Sequence, residues 1–305
     1  MQEKFLLKGM KVKYKVMSVN RLPDLQKDID KLKQKRKISE NKIFRNHINP
    51  LKFIIPESVP KAKYLISLAL ETKLTYINFH YNNSMFDVMI PPNYCDYGVT
   101  TEEIEKFILN EIIKKPGYKV ENTENIHLKH LASRSGLGRY GRNNIIYVDE
   151  LGSLVELYCF FTDYDFGVDN WEEAEMLERC EKCSVCINKC PTQAISRENF
   201  IINVDRCLSL YNEMPGEIPN WIDADVHNAI IDCMKCQMFC PANKLAMKNP
   251  RRFLDITEEE TKAILDGNNN ETLVKSICEK LTIFKPEKAD YYMPIIKRNL
   301  EFLLK

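Results

Sequence analysis

Three absences narrow the reading of this chain first. No stretch approaches the roughly 18 consecutive apolar residues of a transmembrane helix, so no membrane span or membrane partner is expected. There is no charge excess: 44 Lys and Arg face 43 Asp and Glu, for a formal net charge of +1. A global electrostatic field therefore cannot argue for nucleic acid or membrane, although local patches can. The opening run MQEKFLLKGMKVKYKV mixes Lys and Glu into its apolar residues and has no signal-peptide core. A cytoplasmic location is the expectation.

What is there is an ordinary globular composition, 44% hydrophobic and 29% charged over 305 residues, enough for a sizeable core. Eleven cysteines stand out. A secreted disulfide scaffold does not fit, because the chain is not small and most of the cysteines crowd into one segment at metal-ligand spacing.

Apolar periodicity and punctuation give a coarse map. Pro23, Leu25, Ile29 and Leu32 read as an amphipathic helix. The run DKLKQKRK (30–37) reads as that helix's solvated end, with an RNA-facing basic patch as the alternative. Tyr64–Leu70 and Thr75–Tyr81 read as strands, and Pro91-Pro92 breaks the chain. A helix begins at Thr101 and ends by Gly117. A second runs from Thr123, as N-cap, to Ser135. Asn144–Val148 and Leu154–Thr162 read as strands joined by a turn at 150–153. Thr257 to Glu260 forms a capping box, and Glu271–Leu281 and Tyr291–Leu304 read as helices around a 268–270 loop. The fold class expected is α+β: an N-terminal helical extension (1–50), a mixed α/β domain (51–172), a ferredoxin-like double-cluster domain (173–250) and C-terminal helices (251–305).

Cys180, Cys183, Cys186, Cys190 and Pro191 make the run C-x2-C-x2-C-x3-C-P, in which three thiolates wrap one [4Fe–4S] cluster and the fourth serves another. Cys233, Cys236, Cys240 and Pro241 form a second run, one cysteine short, and Cys207 can supply the missing ligand. The crossed pattern assigns Cys180, Cys183, Cys186 and Cys240 to one cluster, and Cys190, Cys207, Cys233 and Cys236 to the other. Zinc would ask for separate C-x2-C pairs or added histidines, and only His227 lies near. Cys159 and Cys278 sit in apolar runs as inert thiols, and Cys95 is read as more exposed. Trp171 and Trp221 are read as packing residues.

Ser135 to Asn144 contains Gly136, Gly138 and Gly141, which let backbone approach a ligand. Its order, helix then glycine loop then strand, is the reverse of a dinucleotide site, which excludes NAD and FAD there. His127 and His130, one turn apart, read as a polar helix face in preference to a metal pair. Tyr94, Tyr97 and Tyr140 are candidate proton donors.

The combination of Gly136-Leu137-Gly138-x-x-Gly141-Arg142-Asn143, the strand end Phe161-Thr162-Asp163 and eight cysteines with a lone Cys207 resembles epoxyqueuosine reductase. Ile55-Pro56-x-x-Val59-Pro60-x-Ala62-x-Tyr64-Leu65-Ile66 is similar to that family's strand entry. The resemblance covers about 54 to 250. It implies a cobalamin-dependent reductase with two [4Fe–4S] clusters, acting on the wobble nucleotide of certain tRNAs and related to reductive dehalogenases. It also implies that Gly136, Leu137, Gly138, Gly141, Arg142 and Asn143 border the corrinoid. The family's catalytic acid, counted back from Gly136, falls on Asn122, which cannot donate a carboxylic proton. Glu121 and Glu124 flank it. The function expected is a reductase passing electrons from the clusters to a corrinoid and on to an unidentified substrate, a small molecule or a tRNA. A low-potential donor such as a ferredoxin or flavodoxin is the expected partner. An electron carrier without corrinoid is the alternative, and a partner-binding subunit stabilised by its clusters is a third reading.

Overall fold

The computed structural model describes residues 5–34, 39–268 and 270–305, the side chains of Ile43 and His47 excepted. The end of the charge run, at 35–37, and position 269 of the 268–270 loop lie outside the described residues. The chain is α+β, as expected, and forms two compact units. The first comprises Met1–Thr72, Gly98–Cys183 and Glu198–Ile201; the second comprises Lys73–Tyr97, Ser184–Arg197 and Ile202–Lys305.

The first unit is built on an antiparallel five-stranded sheet. Strands β1 (Phe5–Leu7), β2 (Met10–Ser18), β3 (Tyr64–Glu71), β6 (Val120–Asn122) and β9 (Val155–Thr162) take the order β1-β2-β3-β9-β6. Residues 1–50 are therefore not only helical: β2 pairs with β3 from Val12↔Leu70 to Ser18↔Tyr64. Central β3 is apolar almost throughout because both its faces are covered. On one face, Leu65 packs with Leu22, Leu25 and Ile29 of α1 (Leu22–Gln34) and with Leu131 of α4 (Leu128–Arg134). On the other, Ile66, Leu68 and Leu70 meet Ile104 and Phe107 of α3 (Thr101–Phe107). Helix α2 (Lys42–Ile48) lies between α1 and β3 in sequence.

Helix α3 opens with a full capping box, Thr100 with Glu103, and passes into one π-type segment, Ile108–Ile113, before left-handed Lys114 ends it ahead of Gly117. Two expected elements differ. Helix α4 starts at Leu128, with His127 as its N-cap, so Thr123 caps no helix; its hydroxyl accepts the Asn125 N–H in a turn after β6. The strands near 146 and 155 do not form a hairpin with each other. Strand β8 (Ile146–Tyr147) pairs with β7 (Arg139–Tyr140), and β9 pairs with β3 and β6.

The second unit recruits an early hairpin. Strands β4 (Thr75–Tyr81) and β5 (Ser84–Ile90) join through Asn82 and Asn83, both at positive φ as a two-residue primed turn requires. Strand β10 (Arg251–Arg252) adds in parallel to β4. Ile77, Phe79, Val88 and Ile90 pack with Ile264 of α8 (Glu258–Asp266), Ile277 and Leu281 of α9 (Glu271–Leu281), and Ile296 and Leu300 of α10 (Ala289–Leu303). The cysteine segments supply three short helices: α5 (Val185–Lys189), α6 (Leu208–Asn212) and α7 (Lys235–Met238).

The Thr257/Glu260 capping box forms as expected, and buried Glu260 also accepts from Ser276 Oγ at 2.5 Å and Lys280 Nζ at 2.7 Å. Thr257→Ala should cost about 1 kcal/mol, the usual worth of an N-cap. Lys280→Met should cost more, about 2–3 kcal/mol, because it strands a buried carboxylate whose partner is only partly exposed. Urea midpoints at constant slope check the ranking, and equal losses would contradict it.

Candidate metal centre and glycine loop

The eight motif cysteines divide between the two units: Cys180 and Cys183 fall in the first, and Cys186, Cys190, Cys207, Cys233, Cys236 and Cys240 in the second. Within the first unit, the glycine loop leads to Cys180. Helix α4 ends at left-handed Gly136, whose position a side chain would bring against the Glu172 carboxylate. Tyr140 N–H donates to Glu175 O at 3.1 Å and Leu177 N–H to Tyr140 O at 2.8 Å, so the stretch entering the first motif runs alongside β7. Arg142 then donates from Nε and Nη2 to the Cys180 carbonyl at 3.2 and 3.0 Å.

Two glycines of this loop are required by local packing, whatever else the loop borders. A Cβ on Gly138 would lie 2.7 Å from Ile146 Cγ2 and 2.8 Å from the Tyr147 carbonyl oxygen. One on Gly141 would lie 2.5 Å from the Tyr147 ring and 2.6 Å from Asn143 Oδ1. Both positions are filled by the β7–β8 hairpin itself. Leu137 packs in the core and Asn143 is buried, its amide donating to the Tyr147 hydroxyl at 2.9 Å. The loop's geometry thus gives no cradle that only a macrocycle would fill.

Within the second unit the cysteines gather with sulfur-directed donors. Ala194 N–H donates to Cys190 Sγ at 3.2 Å, and Asn228 Nδ2 donates to Cys233 Sγ at 3.3 Å. Cys207 is close enough to interact electrostatically with both Cys190 and Cys233. Burial, with the Asp232 carboxyl and the Cys207 thiol also raising it, pushes Cys233 up to about 12; Cys207 is raised by burial, with Asp232 and Cys190 adding to it. Crowded thiols whose ionised form is disfavoured by burial and a neighbouring carboxyl are what a polycationic iron core would offset, so this donor set fits an iron–sulfur cluster. Among the described residues, no three His, Cys, Asp or Glu side chains are grouped to hold one metal ion.

A chain of amides fixes this arrangement. Asn299 Nδ2, on α10, donates to Asn212 O and Ile230 O, both at 2.9 Å. Asn212 Nδ2 donates to Asp232 O at 2.8 Å, and Asp232 Oδ1 accepts from Cys233 N–H at 2.6 Å. Arg298 donates to the Tyr211 and Met214 carbonyls at 2.8 Å. The helix that follows Cys207 and the turn that precedes Cys233 are held by one pair of neighbouring side chains.

Other candidate residues separate from these. His127 Nδ1 accepts His130 N–H at 3.1 Å, and His130 Nε2 lies 3.1 Å from Asp28, so the pair is structural. Asn122 lies at the sheet edge opposite Phe160, its N–H donating to Glu105. Glu121 accepts from Ser58 Oγ, and Glu124 is exposed. Tyr97 donates to Lys73 O at 2.9 Å, and burial raises Tyr97 and Tyr140 above the ordinary phenol range. Trp171 stacks under Arg134 at 4.0 Å and Arg21 at 5.0 Å. Trp221 is half exposed beneath Arg206. Cys159 and Cys278 are buried, and Cys95 is half-buried, its thiol directed at the Ile90 and Pro91 carbonyls. No motif or periodicity singles out Glu213, which burial and Asp232 raise to about 8 and which hydrogen-bonds Tyr94. It is a carboxylic acid that holds its proton near neutral pH.

Residues 179–243 match the family described as a 4Fe-4S double cluster binding domain. The epoxyqueuosine reductase of Cellulophaga algicola is 25% identical over 210 residues, 66% of this chain and 64% of that protein. The chain thus spans less than two thirds of that relative. The solved epoxyqueuosine reductase of Bacillus subtilis, described with its catalytic aspartate loop swung out of the active site, superposes with a TM-score of 0.63 at 20% identity. That match covers 96% of this chain and 77% of the other. An epoxyqueuosine reductase solved with an epoxyqueuosine-modified tRNA-Tyr stem loop gives 0.59 at 19% identity, covering 96% and 76%.

Asn299→Ala should cost about 2–4 kcal/mol, since two buried carbonyls lose their donor; an unfolding free energy from urea titration within about 0.5 kcal/mol of the parent, the range of surface substitutions, would contradict this. A pH effect follows from His127, which burial and Lys129 lower to about 3. Its folded value lies below the unfolded value of about 6.5, so the unfolded chain gains the proton first. The stability it contributes is complete above about pH 6.5 and is lost as pH falls from there towards 3. His127→Asn keeps a capping acceptor and removes the titration. The variant's stability should therefore fall less steeply on acidification; parallel curves would sink the assignment.

Proposed function

We propose that this chain, epoxyqueuosine reductase-like in sequence and in fold, is an iron–sulfur oxidoreductase whose substrate is the epoxyqueuosine nucleoside of a tRNA. The observation that carries the redox half is the cysteine spacing, a full C-x2-C-x2-C-x3-C-P run, a second run one cysteine short, and Cys207 between them; Cys207 also interacts electrostatically with Cys190 and with Cys233. The crossed ligand pattern requires that meeting, whereas two independent metal loops would have no need of it. The match of 179–243 to a double-cluster family supports it. The substrate half rests on what the relatives are named for and on the stem loop present in one of the solved relatives.

When bound, [4Fe–4S] clusters supply one-electron transfer at low potential. The chain's own residues hold and tune them. The eight cysteines are the ligands, and Ala194 N–H and Asn228 Nδ2 stabilise thiolate charge at Cys190 and Cys233. Arg142 anchors the backbone at Cys180. The corrinoid belongs to this reading on the strength of the likeness to the epoxyqueuosine reductases; the hairpin accounts for Gly138 and Gly141 and does not bear on it. Asn122, in the position of the family's acid, favours a second reading, an electron carrier without the substrate step.

Anaerobically purified protein should contain about eight iron and eight sulfide, and Cys207→Ala about half of each, because that residue serves one cluster of two. Stoichiometric zinc without sulfide would end the reading. Incubation of dithionite-reduced protein, with and without added cobalamin, with an epoxyqueuosine-bearing stem loop then separates enzyme from carrier. Conversion to queuosine supports the substrate, whereas reducible clusters with no conversion favour the carrier.

A further inference from the structure

Cys190, Cys207, Cys233 and Cys236, the four ligands assigned to one cluster, all lie in the second unit. One side chain beside them has an orientation that its neighbours fix. Asn228 Oδ1 accepts the N–H of Met234 at 3.1 Å. A backbone N–H can only donate, so the amide's oxygen belongs at that end and its nitrogen at the other. The nitrogen then has two hydrogens to place. Nδ2 donates to Cys233 Sγ at 3.3 Å and reaches Val226 O at 3.5 Å. Turned the other way, the amide would set its oxygen against both a sulfur and a carbonyl, and its nitrogen against an N–H. Only the observed orientation satisfies Met234, Cys233 and Val226 together.

The segment that carries this amide is held from several sides. His227 stacks on Phe302 of α10, with ring centroids 4.3 Å apart and planes inclined by 14°. Ala229, Ile230 and Ile231 are buried. Ile230 donates its N–H to Met89 O at 3.1 Å and accepts from Asn299 Nδ2 at 2.9 Å. At the other end of the turn, Asp232 Oδ1 accepts the Cys233 N–H at 2.6 Å. A dipole clamped in this way is already aimed when charge arrives at the sulfur. A cluster gains one negative charge on reduction, part of it on its thiolate sulfurs. A preset N–H donor therefore favours the reduced form over the oxidised one.

We propose that Asn228 is a positioning residue that, through its hydrogen bond to Cys233, raises the reduction potential of the cluster held by Cys190, Cys207, Cys233 and Cys236 and leaves the other cluster's potential unchanged. The inference rests on the two-cluster reading given above. One electron enters the cluster and the reductant is oxidised by one; no bond is made or broken, and the amide keeps its hydrogens throughout. The bond strengthens as electron density builds on the sulfur, and the half-buried setting keeps water from replacing it. Without it, an electron shared between the two clusters would reside less on this one.

The test is a mediated potentiometric titration of the anaerobic, cluster-loaded protein without substrate, followed by the electron paramagnetic resonance of the reduced clusters. Asn228→Ala removes the donor. It should lower one of the two midpoints by about 59 mV, a tenfold change in a one-electron equilibrium, and leave the other in place. Asn228→Asp keeps an acceptor for the Met234 N–H but sets a carboxylate against the sulfur, so its shift should have the same sign and be larger. A residue that only braced the turn would give the reverse order, with Asp close to the parent and Ala displaced. Iron and sulfide content controls for assembly. Midpoints unchanged in both variants, both midpoints moving together, or an Asp variant indistinguishable from the parent overturns the proposal. If one variant loses its cluster the other decides; if both do, Asn228 builds the site and the proposal fails. A parent protein without reducible clusters would instead refute the iron–sulfur reading itself.

Discussion

The side-chain amide of Asn299 is the contact on which the second unit's chemistry depends. It sits near the end of α10, more than fifty residues beyond the last motif cysteine, yet its two donors close on Asn212 and Ile230. Through Asn212 it reaches the carbonyl of Asp232, and through that turn the backbone of Cys233. A buried amide can be this effective because each unmade bond would leave a polar atom without water. The C-terminal helices therefore determine where Cys207 and Cys233 stand, although none of their residues is a ligand.

The first unit shows the same division of labour. Its sheet is covered on both faces, and α1 and α4 are joined by Asp28, which lies 3.1 Å from His130 and 3.3 Å from Arg134. Arg134 in turn reaches Glu173 and lies over Trp171, in the stretch leading to the first motif. A packed scaffold and a short polar route thus end at Cys180, where Arg142 holds the backbone. Rigid elements placing a few loop residues is the usual way a fold carries a site.

Much of this was legible beforehand, and the exceptions have physical causes. The cysteine spacing, the α1 periodicity, β3, β4 and the Thr257 box are local signals, and each formed where its residues predict. Strand β2 falls in the segment expected to be helical, although MKVKYKVMS alternates Lys with apolar residues as a half-buried strand does; its inward Val12 and Val16 pack once β2 pairs with β3. The start of α4 was misplaced because Thr123 offers a good cap, but β6 draws Val120–Asn122 into pairing with β9 and delays the helix to Leu128. That Lys73–Tyr97 belongs with the C-terminal half depends on a parallel pairing with β10 some 170 residues away, which no local pattern announces. Glu213 was invisible for a related reason: its chemistry comes from Asp232 and Tyr94, which only folding brings to it.

The filled space behind Gly138 and Gly141 changes what the motif can tell an observer. A glycine retained for a cofactor becomes free to vary once the cofactor is lost. A glycine required by its own hairpin does not. Any descendant that keeps the β7–β8 hairpin, and with it the tether to Cys180, would carry the same spelling whether or not it still held a macrocycle. In this chain the glycine pattern at 138 and 141 reports the packing of the hairpin, and cofactor dependence has to be read from residues that the hairpin leaves unconstrained.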